Sequence, residues 1–276
     1  MDNMLSSFLI EFETLESISL NGYGGEAIHG LFFEVLRDYS GKVAEYFHNE
    51  NKKSKPFSLS GILEKKVRTE GELFLGSGEN ASFRISILEE KLIPDTLAAF
   101  GKALNLKAKL PLANGRVIIK RINYQEGSSR WVGSSLYPKI FEEAKPAGKI
   151  RLRFFSPTSF RIKGKQCTLP APYQTFSSLM DKWNSFSGIP LKNGFLERLR
   201  EVYPSQFELR SELIQFSNYK IIGFRGVVEY RLGREFTSEE KRIINTLADF
   251  AFYAGVGYKT TMGMGQTMRI DSNGRR

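Results

Sequence analysis

Hydrophobic positions along this chain recur at two spacings, and the switches between them lay out the elements. Residues 5–12 form an apolar run of strand length. A loop at residues 19–25 carries Tyr23 among three glycines. Ile28, Leu31, Phe32, Val35, Leu36 and Tyr39 then recur at helical spacing and predict one helix over about 25–47. Residues 57–63 and 72–75 predict strands, and residues 81–88 alternate as a third. A second amphipathic helix is predicted over 93–104, with Pro94 at its start, followed by a strand over 116–124. The order is roughly β-α-β-β-α-β, the ferredoxin-like pattern.

Residues 125–148 are weaker, with a short helix at about 136–144 and then Lys145-Pro146-Ala147-Gly148, a turn that suits a domain boundary. The second half starts with a strand over 149–155, in which Arg151 and Arg153 alternate with Leu152 and Phe154. Gly164 between Lys163 and Lys165 marks a turn. A helix over 173–186, a short helix over 195–203 and two antiparallel strands over 208–216 and 220–230 follow. Thr237-Ser238-Glu239-Glu240 is a capping box that opens the last helix. This helix stops at Gly255, and residues 266–270 close the fold as a strand. The pattern is again β-α-β-β-α-β. The fold class is α+β, with two tandem ferredoxin-like domains at residues 1–146 and 147–276.

Between the last helix and the last strand runs Gly255-Val256-Gly257-Tyr258-Lys259-Thr260-Thr261-Met262-Gly263-Met264-Gly265. Two Gly-hydrophobic-Gly units flank five residues that include one lysine. The order helix–loop–strand, without GK[ST], excludes a P-loop. Thr260 stands where a dinucleotide fingerprint needs its third glycine. From the residues alone the segment is either a glycine C-cap with a tight turn or a loop whose exposed amides, beside Lys259, hold an anion.

Charge sharpens the second alternative. Residues 1–148 hold 19 Lys and Arg against 19 Asp and Glu, whereas residues 149–276 hold 21 against 11, the whole net charge of +10. A segregated basic surface suits a polyphosphate partner, whose binding is driven by counterion release; its bland counterpart is a surface that aids solubility. One cysteine, Cys167, excludes an internal disulfide and fits a reducing cytosol. Two histidines and one cysteine, far apart, do not support a zinc or two-metal site. Residues 1–13 carry acids and no base ahead of the apolar run, so no secretory signal is expected, and no apolar run has membrane-spanning length.

The glycine loop resembles the C-terminal loop of the Cas six family, the CRISPR repeat-processing endoribonucleases of the RAMP (repeat-associated mysterious protein) superfamily. Further similar stretches lie upstream in the expected order. They are Ala27-Ile28-His29-Gly30-Leu31, the segment from Arg151 through Ser156-Pro157-Thr158 to Lys165, Leu169-Pro170 with Phe176 and Trp183-Asn184, and Gly223-Phe224-Arg225-Gly226. The resemblance spans most of the chain. It implies a cytoplasmic prokaryotic protein that binds CRISPR repeat RNA in a precursor transcript. It implies cleavage without a cofactor or metal, by attack of a ribose 2′-OH that leaves a 2′,3′-cyclic phosphate and a 5′-OH. A non-catalytic RAMP-type subunit that holds repeat RNA is the alternative. CRISPR effector complex subunits and a second copy of the chain are further partners the resemblance allows.

The resemblance places His29 as the base, where an imidazole of near-neutral pKa in the first helical turn, at the positive dipole end, stays unprotonated. Without the resemblance His29 is a packed helix histidine. Tyr23 is a candidate for orienting phosphate or the 5′-oxygen. Arg37 and Lys42 do not match the spacing of the family's catalytic lysine, which leaves the phosphate-stabilising cation open, with Lys259 a candidate. His48 is read as a charge complement past its helix end. RNA contacts are expected from Lys259 with Gly255, Gly257, Gly263 and Gly265, and from Arg161, Lys163, Lys165 and Arg225, each of which has the alternative of plain solvation.

Overall fold

Strand β1 (Met4–Thr14) is the spine of the first half. The computed structural model describes residues 3–48, 54–65, 71–191 and 195–271. After β1 come β2 (Ile18–Asn21), α1 (Gly25–Tyr39), α2 (Gly41–His48), β3 (Phe57–Leu59), β4 (Glu72–Leu75), β5 (Asn80–Ile87), α3 (Ile93–Asn105), β6 (Leu110–Leu112), β7 (Gly115–Asn123), β8 (Gly133–Leu136) and α4 (Tyr137–Glu143). The sheet order is β3-β5-β1-β7-β6, with β8 also on β1. All its pairs are antiparallel, with Phe8 opposite Ile85 and Phe12 opposite Ile119. Phe8, Ile10 and Phe12 are buried against α1 and α3, which is why the run that predicted this strand is so apolar.

The second half repeats the plan with β9 (Lys149–Thr158), β10 (Phe160–Ile162), β11 (Lys165–Cys167), α5 (Pro172–Phe186), β12 (Tyr203–Gln215), β13 (Lys220–Arg231), α6 (Ser238–Ala254) and β14 (Thr267–Arg269). Its sheet runs β12-β13-β9-β14. Taking the four main strands of each half in chain order, both sheets read second-third-first-fourth, the ferredoxin-like arrangement. The tandem ferredoxin-like fold is therefore present. Gly164 does turn a hairpin, β10–β11, with Lys163 beside it at a φ of 46°.

Three expectations fail in detail. The helix over 25–47 breaks, because Ser40 adopts an extended backbone, φ −161° and ψ 116°, and Gly41 starts a new helix. Serine favours a cap and glycine disfavours a helix interior. The predicted strand over 57–63 ends at Leu59; beyond it the Ser60 and Leu63 amides still donate to the Arg84 and Ser82 carbonyls of β5, while Ser60 also bridges to Gly263 of the glycine loop. Residues 195–203 hold only a 3-10 turn, Glu197–Arg200, before β12 starts at Tyr203. As an edge strand with most side chains exposed, β12 shows no clear alternation over its first turns of sequence.

The capping box forms: Thr237 Oγ1 accepts from the Glu240 amide at 3.2 Å, and Glu240 Oε2 accepts from the Thr237 amide at 2.7 Å. The helix it starts is buried nearly all round from Ile244 to Ala254. Its faces touch both halves. Trp183, Tyr137 and Phe250 stack edge to face at 5.1 and 5.3 Å in a core that also contains Leu5, Leu9 and Leu88 of the first half. Arg84 of β5, 1 % exposed, donates to Ser7 Oγ at 2.5 Å, to Gln266 Oε1 at 2.8 Å and to the Phe252 carbonyl, so a buried guanidinium is satisfied across the junction. The junction therefore holds the loop after α6 in a fixed place.

Candidate active site

The glycine loop is folded against the first half. Gly255, Gly257, Gly263 and Gly265 have φ of 63°, 82°, 87° and 72°, where any other residue is strained. Space is equally restrictive: a Cβ on Gly265 would lie 2.1 Å from the Val256 carbonyl oxygen, and one on Gly25 of α1 would lie 2.1 Å from that of Met262. Many of the loop's amides are spent on other groups of the protein. Val256, Tyr258, Gly263 and Gly265 donate to the carbonyls of Gly265, Ser159, Leu59 and Pro157. An anion nest of glycine amides is therefore not what these four donors build. The glycines allow close docking, and the docking presents Lys259 and Thr261.

His29, the fifth residue of α1, meets that presentation. Its Nδ1 lies 2.9 Å from the Thr261 carbonyl oxygen. A carbonyl only accepts, so Nδ1 carries the proton and Nε2 keeps its lone pair. Among the described residues no protein group is bonded to Nε2. The ring packs edge-on to Phe33 at 4.9 Å and stacks over Phe57 at 6.3 Å. Burial lowers its pKa below the usual 6.5; the Thr261 carbonyl opposes that shift, while the charges of His48, Lys259 and Lys55 reinforce it. The helix dipole that sequence reasoning invoked is replaced by burial and cations, because His29 lies beyond the first turn.

Those neighbours come from three places. The break at Ser40 turns α2 back, so that His48 ends α2 with its ring 5.4 Å from Phe33, on which His29 also packs. His48 is thus a neighbour of the site as well as a last-turn residue. Lys55 donates to the His48 carbonyl at 3.1 Å. Lys259 has a φ of 55°, strained for a lysine, and its ammonium lies 5.4, 5.0 and 5.4 Å from the rings of Phe216, Tyr219 and Tyr258. It contacts the Met262 sulfur at 3.2 Å, and among the described residues no carboxylate pairs with it. Backbone strain of this kind costs on the order of 1 kcal/mol and concentrates at functional positions. The turn of the β12–β13 hairpin walls the site, with Ser217 bonded through its amide and hydroxyl to Glu26 of α1 at 2.8 and 2.9 Å.

The other candidates divide. Arg161, Lys163 and Lys165 stand exposed on the β10–β11 hairpin, which adjoins the loop: Arg161 reaches the Tyr258 hydroxyl at 3.4 Å. Arg37 is paired with Glu34 and exposed, and Lys42 is exposed; neither is among the charges acting on His29. Tyr23 is bonded elsewhere. Its hydroxyl donates to Glu212 and accepts from Arg225 at 3.0 Å, in a cleft of about 470 Å³ that Arg210, Trp131 and Phe155 also line. Burial, and then the bond to Glu212, push the Tyr23 pKa up to about 12. Sequence reasoning missed Lys55, for which no spacing rule exists, and the role of His48, for which Ser40-Gly41 was the available signal. Among the described residues no group of three or more His, Cys, Asp or Glu is placed to hold a metal ion, and no helix is long and apolar enough to cross a membrane.

Two ferredoxin-like halves, closed by a glycine-rich loop that meets a histidine of the first half, define a protein of the RAMP superfamily. Residues 4–142 match the family model described as the CRISPR Cas6 N-terminal domain, and residues 152–267 match that of CRISPR-associated endoribonuclease Cas6. The chain belongs to the CRISPR-associated endoribonuclease Cas6 family. It is 23 % identical over 241 residues to a CRISPR-associated endoribonuclease Cas6 of Streptococcus thermophilus, covering 86 % of this chain and 87 % of that protein. Among solved structures it resembles a product complex of a Thermus thermophilus Cas6, with a TM-score of 0.81 and 26 % identity over 97 % of this chain and 99 % of that one. A second Cas6 product complex gives a TM-score of 0.73 and 26 % identity, covering 97 % and 100 %.

Proposed function

We propose that this protein cleaves CRISPR repeat RNA within precursor transcripts, without a metal ion, by attack of a ribose 2′-OH on the adjacent phosphorus. The observation that carries the reading is the contact between His29 Nδ1 and the Thr261 carbonyl. The Thr261 carbonyl at 2.9 Å fixes the proton on Nδ1, so Nε2 is an acceptor beside Lys259 and the α2 end. Nε2 removes the 2′-OH proton as the O2′–P bond forms. The P–O5′ bond breaks, the leaving oxygen takes up a proton, and the products carry a 2′,3′-cyclic phosphate and a 5′-OH. Lys259, supported by Lys55, offsets the extra negative charge on the crowded phosphate. Arg161, Lys163 and Lys165 extend the positive surface from Tyr258 outward and serve phosphate contacts, as does Arg225 in the neighbouring cleft. The glycines serve binding indirectly, by placing Lys259. Relatives whose structures are Cas6 product complexes support an RNA-processing reaction as the class of chemistry.

The test is incubation with a labelled repeat RNA from the host's own array in excess EDTA, beside the same RNA with 2′-deoxy substitutions at candidate cut positions. Cleavage that persists in EDTA and stops with one 2′-deoxy substitution is expected. Tight binding with no cleavage would overturn the enzyme reading in favour of a non-catalytic repeat-binding subunit.

A further inference from the structure

Beneath the glycine loop lies a lysine that the proposed reaction does not use. Lys182 projects from α5, and its Nζ donates to the carbonyls of Ala254 at 2.6 Å and Gly255 at 3.2 Å and to Thr260 Oγ1 at 2.9 Å. An ammonium has three protons, and here three oxygens receive them. Two of those oxygens belong to the end of α6, where helix carbonyls lack intrahelical donors and the dipole favours a cation. The third lies five residues further along the loop. One side chain therefore ties the start of the loop to its middle.

Thr260 is held on both sides. Its hydroxyl is bonded to Lys182, and its carbonyl accepts from the Leu59 amide of β3 at 2.9 Å. Its methyl group lies where a Cβ on Gly255 or Gly265 would come within 3.1 or 3.0 Å, so it packs between the glycines. The next carbonyl in the chain, Thr261, is the one that meets His29 Nδ1, and the residue before Thr260 is Lys259. Lys182 thus sits one residue from each group that the loop delivers. Burial lowers its pKa to about 7. The three oxygens and the negative end of α6 act in the opposite sense and favour the charged form.

We infer that Lys182 is a positioning residue for His29: through Thr260 it sets the Thr261 carbonyl, which selects the imidazole tautomer with Nε2 free. The inference rests on the reading of His29 as the base only for its catalytic consequence, because the tautomer itself is measurable without substrate.

The chain has two histidines, so its labelled imidazole nitrogens give a readable 15N spectrum, and an H48N variant assigns the His29 signals. Lys182→Met removes all three bonds. Thr260→Val removes only the Lys182–Thr260 bond at constant shape, and Thr260→Ser restores the hydroxyl. At a pH above the His29 pKa, the wild type is expected to show Nδ1 protonated and Nε2 bare. Lys182→Met and Thr260→Val shift the His29 signals toward the Nε2-protonated form, while Thr260→Ser keeps the wild-type spectrum. Under saturating protein, the single-turnover cleavage rate falls roughly tenfold or more in Lys182→Met and Thr260→Val, within the ~10²-fold that an ångström of misplacement costs. Affinity for a 2′-deoxy repeat stays within about twofold, and the double variant is no slower than Lys182→Met alone. Unchanged His29 signals in folded Thr260→Val and Lys182→Met overturn the inference. Should Lys182→Met fail to fold, the Val and Ser pair at Thr260 decides alone. A wild type that shows the expected tautomer yet does not cut RNA would sink the proposed reaction and leave the positioning role standing.

Discussion

The glycine loop has a polar cluster associated with each of two regions, and the two are built in opposite ways. Around His29 the groups are open. Nε2 has no protein partner among the described residues, Lys259 faces aromatic rings in place of a carboxylate, and every charge acting on the imidazole is positive. Around Tyr23 the groups are closed. Its hydroxyl both donates and accepts, and Glu212 and Arg225 bring opposite charges to it. A closed network of this kind holds two strands to a loop, with Glu212 Oε2 the one atom of the trio's carboxylate left without a hydrogen-bond partner among the described residues. An open one has unused acceptor and donor capacity plus uncompensated charge, which is what an incoming phosphodiester satisfies.

The largest effect that can break this comparison is at His29. His29→Ala should lower the single-turnover rate by about 10²–10⁴-fold, the range for a general base, with affinity for a 2′-deoxy repeat nearly unchanged. A variant that still cuts at the wild-type rate would move the base elsewhere. Next comes Lys259→Met, expected to cost about 10²-fold in rate, as loss of a charge-stabilising donor does, and to reduce the salt slope of binding by roughly one. If rate and slope both hold, the open cluster does not receive a phosphate.

The pH profile sharpens the same point. Burial first, and then the His48, Lys259 and Lys55 charges, place the His29 pKa below 6.5. The base works unprotonated, so cleavage should be flat above 6.5 and fall about tenfold per unit once pH drops below the depressed pKa. Lys259→Met removes one of those charges and should move the acid limb upward. Stability follows the same sign. The unfolded histidine takes its proton at 6.5, before the folded one does, so this group withdraws stability as pH falls from 6.5 to its folded pKa and adds no dependence above 6.5. A profile whose acid limb lies above 6.5 would contradict the neutral imidazole.

Most of the architecture was legible because it is written in local periodicity. The capping box at Thr237, the two βαββαβ orders and the alternation around Leu152 all depend on neighbours within a few residues. What escaped depends on distant ones. The bridge from Ser60, just past the end of β3, to Gly263 joins residues with no sequence proximity. The fate of the loop amides is likewise tertiary: Ser159, Leu59 and Pro157 take them up, and nothing in the spacing of four glycines says so. His29 and Lys259 were visible as chemistry. Their meeting could be raised only as one candidate among several, since it requires the chain to return the Thr261 carbonyl to α1 across a separation of 232 positions. Lys182 was least legible of all, because a lysine on a helix reads as solvated until the carbonyls of another helix end are found around it.

The smallest expected effect lies on the closed side and is the most discriminating. Tyr23→Phe removes only a hydroxyl, whose proton is committed to Glu212 and whose pKa stands at about 12. If the cluster is structural, cleavage should change by less than about threefold. The stability cost should be about 1 kcal/mol, the usual net worth of a hydrogen bond, with a further cost from the carboxylate left buried beside it. That cost is measurable as a lowered denaturation midpoint at unchanged rate. Glu212→Gln should reproduce it without adding to it in the double variant, since both act on one bond. A rate loss in Tyr23→Phe as large as that in Lys259→Met would instead mean that RNA draws the hydroxyl away from Glu212. The two clusters would then be one site, in which the Tyr23 hydroxyl joins Arg225 at the RNA backbone.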